Sequence, residues 1–276
     1  MFPAEEILGE RIVKIRALSG GSIHETSRIE TESGRTYVLK ESAPGEYFEA
    51  EADGLGELGK AGAIRVPEVR TVSKEFLIME WIEPAAKGPG FFAGFGRALA
   101  RMHRVTGTRF GHARNNFIGS LPQDNAWSES LSEFFAERRF RALVAIGRDR
   151  RMLDRALCIA VENVCRKLSE LLAPIEEPPA LLHGDLWGGN YLSSFDGPVL
   201  IDPAVYYGPR EADIAMTRLF GGFDGSFYTA YEEEYPLAPG WRDRVDLFNL
   251  YHLLTHAIMF GGGYAGQALA AAKKYG

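Results

Sequence analysis

The feature that most limits how this chain can fold is a change of hydrophobic period near Pro84. Upstream, apolar residues come in short β-branched and aromatic runs, RIVKIRALSGGS, HETSRIETESGRTYVLKES and EFLIMEWIE, cut by Gly and Ser-Gly turn signals. One stretch there, YFEAEADGLGELGKAG, reads as a helix instead. Downstream, GFGRALARMHRV repeats apolar residues at 95, 98, 99 and 102, and RMLDRALCIAVENVCRKLSELLAPI does so at 153, 157, 160, 161, 164, 168, 171 and 172. These patterns predict a small sheet with one helix over residues 1–83 and a larger, mainly helical part over 84–276. The expected hinge is EPAAKGPG, Glu83 to Gly90.

Between the helical blocks, ALLHGD and NYLSSFDGPVLIDP suggest short strands and an Asp-Gly turn. His183, Asp185 and Asn190 there fit H-x-D-x-x-x-x-N, and Asp202 follows Asp185 by 17 residues at the end of an apolar strand. Oxygen-bearing side chains at loop and strand ends suit magnesium, a hard cation that leaves coordination positions for phosphates. Phosphoryl transfer asks the protein to position reactants, neutralise phosphate charge and orient the attacking hydroxyl. Asp185 is therefore the candidate proton acceptor, with Asn190 and Asp202 as candidate magnesium ligands.

A lone H-x-D carries little, since single turn aspartates usually cap or bend the backbone. The order of parts carries more. Gly20, Gly21 and Ser22 form a turn able to cover phosphates, although SGGSIHETS departs from G-x-G-x-x-G and taken alone reads as a hairpin turn. Lys40 ends a strand, Glu51 lies on the next helix, and the acid loop and Asp202 follow, as in protein-kinase-like enzymes. Glu49 competes with Glu51 but falls on another helix face. In that fold Glu80, Trp81 and Ile82 lie beside the adenine, offering backbone groups.

HGDLWGGN and LIDPAVYYGPREADIAM, with NNFIGSLPQDNAW upstream and FGGGYAGQAL near the end, resemble the fructosamine-3-kinase or ketosamine-3-kinase family over essentially the whole chain. The resemblance implies an α+β, protein-kinase-like fold of two lobes, a small antiparallel sheet with one helix and a larger helical lobe. It implies ATP and Mg2+ as cosubstrates and phosphorylation of the sugar 3-hydroxyl of a ketosamine, free or protein-bound, which promotes deglycation. It also casts Asp213 as the acid bracing the catalytic loop, alongside His183; an exposed acid at a helix N-terminus is the alternative. Trp187 is either a stacking wall for sugar or amine, or packed core. Asn115, Asn116 and Gln123 either line the substrate cleft or form turns. Many relatives carry a Cys in the Gly loop; this loop has none, so thiol control through it is not expected. The alternative activity on the same fold is an aminoglycoside- or choline-type phosphotransferase, and the non-catalytic alternative is an ATP-binding interaction module.

Charge narrows the partners. Residues 1–83 hold 10 Lys+Arg against 16 Asp+Glu, while the rest hold 21 of each, so the net charge of -6 sits in the N-terminal part. Nucleic acid is disfavoured, because phosphate backbones call for a basic footprint. The arginines at 138, 139, 141, 148, 150, 151 and 155 read as a solvated helix face rather than an anion site. No apolar run suggests a membrane span and no signal peptide is evident, giving a cytoplasmic, monomeric protein as the expectation. Cys158 and Cys165 fall about 10 Å apart on one helix, too far to bridge, and are expected to be reduced. His252 and His256, at i and i+4 without a third ligand, read as packing residues.

Overall fold

The computed structural model describes residues 3–18 and 25–276. A short helix, α1 (Pro3–Leu8), precedes β1 (Ile12–Ala17), β2 (Glu25–Thr31) and β3 (Thr36–Glu41); helix α2 (Tyr47–Ala61) and strands β4 (Val69–Val72) and β5 (Phe76–Glu80) follow. The strands form one antiparallel sheet in the order β1-β2-β3-β5-β4. Alternation along β3 buries Tyr37 and Leu39 with Ile29 and Ile78 on one face, so Lys40 projects to the other, the face that carries α2. There Phe48 and Leu55 of the helix pack on Leu77 and Met79 of β5. Glu51 lies three residues after Phe48 and four before Leu55, inside that apolar stripe, which is why it is driven inward. Glu49 points elsewhere and pairs with Arg114 at 3.0 Å.

The chain then runs through α3 (Phe91–Met102), the hairpin β6 (Asn116–Ile118) and β7 (Leu121–Gln123), and a helical turn, α4 (Leu131–Glu133). That turn continues as a π-helical segment (Phe134–Arg141) into α5 (Ala142–Asp149), followed by α6 (Arg155–Leu171). Four short strands come next, β8 (Ala180–Leu182), β9 (Tyr191–Ser194), β10 (Gly197–Leu200) and β11 (Tyr206–Gly208). Helices α7 (Glu211–Leu219), α8 (Gly225–Glu234), α9 (Trp241–Phe260) and α10 (Tyr264–Tyr275) complete it. One core gathers the inner faces of α6, α9 and α10 with Phe134, Phe135 and Phe140. A second joins α3 and α8 to Leu181, Leu186 and Leu200, and takes in Leu58 and Ile64 from the N-terminal part. The linker after β5 is fastened to this second part: Ala85 N–H donates to Ser193 O, and Lys87 Nζ donates to the Tyr191 hydroxyl at 2.6 Å.

β9 and β10 form the expected hairpin, but β8 pairs with β11. Residues 183–190 therefore link two separate ladders. Cys158 and Cys165 lie on α6 as free thiols. Among the described residues no helix is long and apolar enough to cross a membrane.

Candidate active site

Three elements converge on one ammonium group. Lys40 Nζ on β3 donates to Glu51 Oε1 of α2 at 2.6 Å and also to Asp202 Oδ1, from the loop after β10. Gly54 permits this convergence: a Cβ there would stand 3.1 Å from Pro203 Cγ, so α2 seats against the residues that follow Asp202. Burial opposes the charged form of Lys40, yet Glu51 and Asp202 overcome it and hold its pKa above the usual lysine value. Burial pushes Glu51 up to about 7, against the pull of Lys40. Asp202 is held below the usual carboxylate range, because Lys40 outweighs the cost of its burial.

Asp202 has φ 54°, a left-handed conformation that non-glycine residues adopt at a cost of order 1–3 kcal/mol. Such strain persists only where the surroundings impose it. Here His183 imposes it from behind: its O accepts from Ala204 N–H at 2.8 Å, and its Nε2 donates to Ile201 O at 2.9 Å.

The 183–190 loop is braced by a network of buried and part-buried hydrogen bonds. Asp213, 1% exposed on α7, accepts from His183 N–H at 2.8 Å and from Gly184 N–H at 2.9 Å. His103 Nε2 reaches Asp213 Oδ2 at 3.2 Å, and its Nδ1 contacts the Tyr231 hydroxyl at 2.7 Å. Burial keeps both His103 and His183 below the usual histidine pKa, so both are neutral braces. Burial also opposes ionisation of Asp213, but the His103 contact and the loop N–H groups more than compensate and lower its pKa. An acid set on the first turn of α7 thus faces inward, not to solvent.

Asp185 stands at the centre. Asn190 Nδ2 donates to its Oδ2 at 3.0 Å and to its backbone O at 2.9 Å. Burial, then repulsion from Asp202, pushes the Asp185 carboxyl up to about 7. With the Asn190 amide nitrogen spent on Asp185, its Oδ1 is the atom left for a cation. Asn190 O also accepts from Ile201 N–H at 3.1 Å, which sets Asn190 beside Asp202. A side-chain amide oxygen with a carboxylate fits magnesium, and Asn190 and Asp202 are the residues that would hold it.

The loop glycines serve three different needs. Gly184 has φ 82°, and a Cβ there would lie 2.0 Å from Ala204 O. Gly188 and Gly189 have no such conformation; Gly188 instead lets the backbone pass close to Gly222, whose Cβ would meet Gly188 Cα at 2.7 Å. Gly189 lies under the Trp187 ring. Trp187 is 37% exposed and meets Phe220 edge-on at 6.0 Å, one side of an aromatic group with His256 and Tyr264.

Glu80 turns its side chain away, to Arg65 at 2.5 Å, and its N–H donates to Glu68 O at 2.8 Å. Trp81 donates from Nε1 to Glu83 and lies under Arg28, while Ile82 is buried. Among the described residues, no hydrogen bond engages the N–H or C=O of Trp81 or Ile82. Gly20, Gly21 and Ser22 lie outside the described residues.

Two sequence expectations need correction. Asn116 and Gln123 do not line a cleft: they are buried, with Gln123 Nε2 donating to Asn116 Oδ1 at 2.7 Å and to Ala204 O at 3.1 Å, and Asn116 Nδ2 donating to Val205 O at 2.8 Å. Asn115 accepts from Asn125 N–H at 2.8 Å. They brace the segment after Asp202 from behind. Arg139, read as a solvated charge, is 0% exposed. The π-helical segment turns it inward, where Asp124 O, Asn125 Oδ1 and the rings of Phe134, Tyr206 and Tyr251 surround it. His252 is buried, as its packing reading expects, and in addition brings Nδ1 to 3.8 Å from Asp185 Oδ1. The signal available in sequence was a polar ring inside the apolar run LYHLL.

A fructosamine kinase family model matches residues 4–275. The probable ketoamine kinase of Enterococcus faecium is 39% identical over 264 residues, 92% of each chain. The chloroplastic protein-ribulosamine 3-kinase of Arabidopsis thaliana is 36% identical over 274 residues, 96% of this chain and 83% of that one. A crystal structure of a fructosamine-3-kinase candidate from Thermobifida fusca superposes with TM-score 0.90 at 36% identity, covering 98% of this chain and 96% of that chain. An aminoglycoside phosphotransferase shares the fold, with TM-score 0.64 at 15% identity, covering 98% of this chain and 97% of that one. The α+β architecture expected from the sequence, an antiparallel sheet followed by a mainly helical part, is therefore that of the kinase-like phosphotransferases.

Proposed function

Because the chain belongs to the fructosamine kinase family of phosphotransferases, we propose that it is an ATP-dependent ketosamine 3-kinase, acting on fructosamines or ribulosamines carried by small amines or protein lysines. Residues 1–83 serve the nucleotide and residues 84–276 the acceptor. The observation that carries this reading is the meeting of Lys40, Asp202, Asn190 and Asp185 around one loop system.

Asp185 orients the sugar 3-hydroxyl and takes its proton as the oxygen bonds to the γ-phosphorus; the bond to the β,γ-bridging oxygen breaks and ADP leaves. Lys40 neutralises charge on the α- and β-phosphates, and Glu51 holds it there. Gly20, Gly21 and Ser22 cover the phosphates, and the main chain at Glu80, Trp81 and Ile82 flanks the adenine. Asn190 and Asp202 would hold Mg2+, which when bound would neutralise the charge that develops on the phosphoryl oxygens. Asp213 and His183 keep the loop in register, and Trp187 walls the sugar or amine. The 3-phosphate then makes the adduct labile, which frees the amine.

The test is phosphorylation of matched ribulose, erythrulose and fructose adducts of lysine, with the phosphate position read by NMR. Phosphate at O3 of at least one adduct is expected. Phosphorylation of an aminoglycoside or choline with none of any ketosamine overturns the reading.

A further inference from the structure

His252 sits near the middle of α9, 5% exposed, in a helix whose inward residues are otherwise mainly core. Its Nδ1 is buried and has no hydrogen-bond partner among the described residues. A buried ring nitrogen left without a partner costs free energy unless something supplies one. The atom it faces is Asp185 Oδ1, at 3.8 Å, beyond hydrogen-bond reach. The other carboxylate oxygen of Asp185, Oδ2, is taken by Asn190. The free side of the proton acceptor and the unpartnered nitrogen therefore look at the same small space.

Two atoms that far apart can both reach one hydroxyl oxygen at about 2.8 Å. We propose that His252 is a second anchor of the acceptor hydroxyl: neutral imidazole, protonated at Nδ1, donates to the hydroxyl oxygen while that hydroxyl donates its proton to Asp185 Oδ1. The inference rests on the reading of Asp185 as the proton acceptor and adds a specific partner to it. One lone pair of the hydroxyl oxygen goes to His252, its proton points at Asp185, and the remaining lone pair has a fixed direction for attack on phosphorus. Orientation of this kind is where positioning groups lower a barrier.

The surroundings keep the ring in the required state. Burial lowers the His252 pKa to about 3 and His256 adds to the effect; Asp213 pulls the other way, and Arg139 again opposes protonation. The ring is thus a fixed neutral donor and does not compete with Asp185 for the proton. It is also held in place: Tyr251, the neighbouring residue, donates its hydroxyl to Gln123 Oε1 at 2.7 Å, tying this turn of α9 to the buried amides behind Asp202.

The experiment compares His252→Leu, His252→Asn and His252→Gln with fructoselysine or ribuloselysine as acceptor, alongside melting temperatures. An asparagine amide nitrogen occupies about the place of Nδ1, and a glutamine amide nitrogen that of Nε2. His252→Leu is expected to lower kcat/KM for the ketosamine roughly tenfold or more with the ATP KM within about twofold. His252→Asn should recover most of that loss and His252→Gln should not. The anchor is overturned if His252→Leu keeps its ketosamine kcat/KM within about twofold, or if the asparagine and glutamine variants fail alike. Asp185→Asn, run in parallel, separates the two ideas: an active Asp185→Asn removes the proton acceptor itself, whereas an inactive Asp185→Asn beside a fully active His252→Leu removes only the anchor.

Discussion

The two halves of the site are held by opposite means. Around Lys40 the glue is charge: one ammonium shared by two carboxylates that come from a helix and a distant loop. Around Asp185 it is directional hydrogen bonding, from backbone N–H groups onto the one buried carboxylate of Asp213, and from an amide and two uncharged histidines. A charge cluster can exchange partners, because Asp202 satisfies a lysine or a divalent cation with the same oxygens. A backbone-braced loop cannot, because each bond in it fixes a φ/ψ pair. The first half thus suits a ligand that arrives and leaves with its own charges. The second suits a base that must stay within a few tenths of an ångström of one hydroxyl.

That contrast is broken most sharply at Asp185. Asp185→Asn keeps the size and the bond to Asn190 but removes the proton acceptor, so turnover should fall by about 10²–10⁴ while nucleotide binding and melting temperature stay near those of the parent. Steady-state kinetics with calorimetric nucleotide titration checks both; full activity would end the assignment. Next comes Lys40→Met, which should cost about 10²–10³ in kcat/KM for the nucleotide. Asp202 then has no ammonium to share, so Mg2+ should raise the melting temperature of this variant more than that of the parent. Equal Mg2+ shifts would mean that Lys40 and the cation do not compete for Asp202.

Asp213 tests the braced half. Asp213→Asn replaces an acceptor with an amide nitrogen facing a loop N–H, leaving at least one buried donor unpaired, so the unfolding free energy in urea should drop by about 1–3 kcal/mol. Its folded pKa is depressed, hence its contribution is present above the unfolded value of about 3.9 and fades as pH falls through the folded one. The gap between parent and variant should therefore narrow in acid. A gap that widens in acid contradicts the lowered pKa.

Much of this is legible in the sequence. The change of period at Pro84 gave the sheet and the helical remainder, because a period is a property of consecutive residues. The spacing from His183 to Asp202 gave the loop acids for the same reason. What stayed hidden depends on three-dimensional return. Asn116 and Gln123 read equally as turn amides or cleft donors until their hydrogen bonds to Ala204 and Val205 put them behind the site. Arg139 looked like one more arginine in a charged run, and only the π-helical register turns it inward. His252 was indistinguishable from packing, since nothing in LYHLL says that Asp185 lies opposite. Nor does the Gly pair of HGDLWGGN say that Gly188 serves a close backbone approach to Gly222 and that Gly189 leaves room for an indole ring.

The smallest effect discriminates two acids on a single helix. Glu49 and Glu51 are two residues apart, and period 3.6 places them about 200° apart around α2. Glu51 is drawn into the apolar stripe and meets Lys40; Glu49 meets Arg114 at the rim, in a pair where both side chains are more than a third exposed. Exposed pairs contribute about 0–1 kcal/mol and are screened by salt. Glu49→Gln should then change stability by less than about 1 kcal/mol and leave the nucleotide KM as it was. Glu51→Gln should raise that KM severalfold, because Lys40 keeps only Asp202, an acid also wanted by the metal. Nucleotide KM values for the two variants, measured at equal Mg2+, decide it: a rise for Glu49→Gln and none for Glu51→Gln would exchange their roles and move the charged half of the site to the rim.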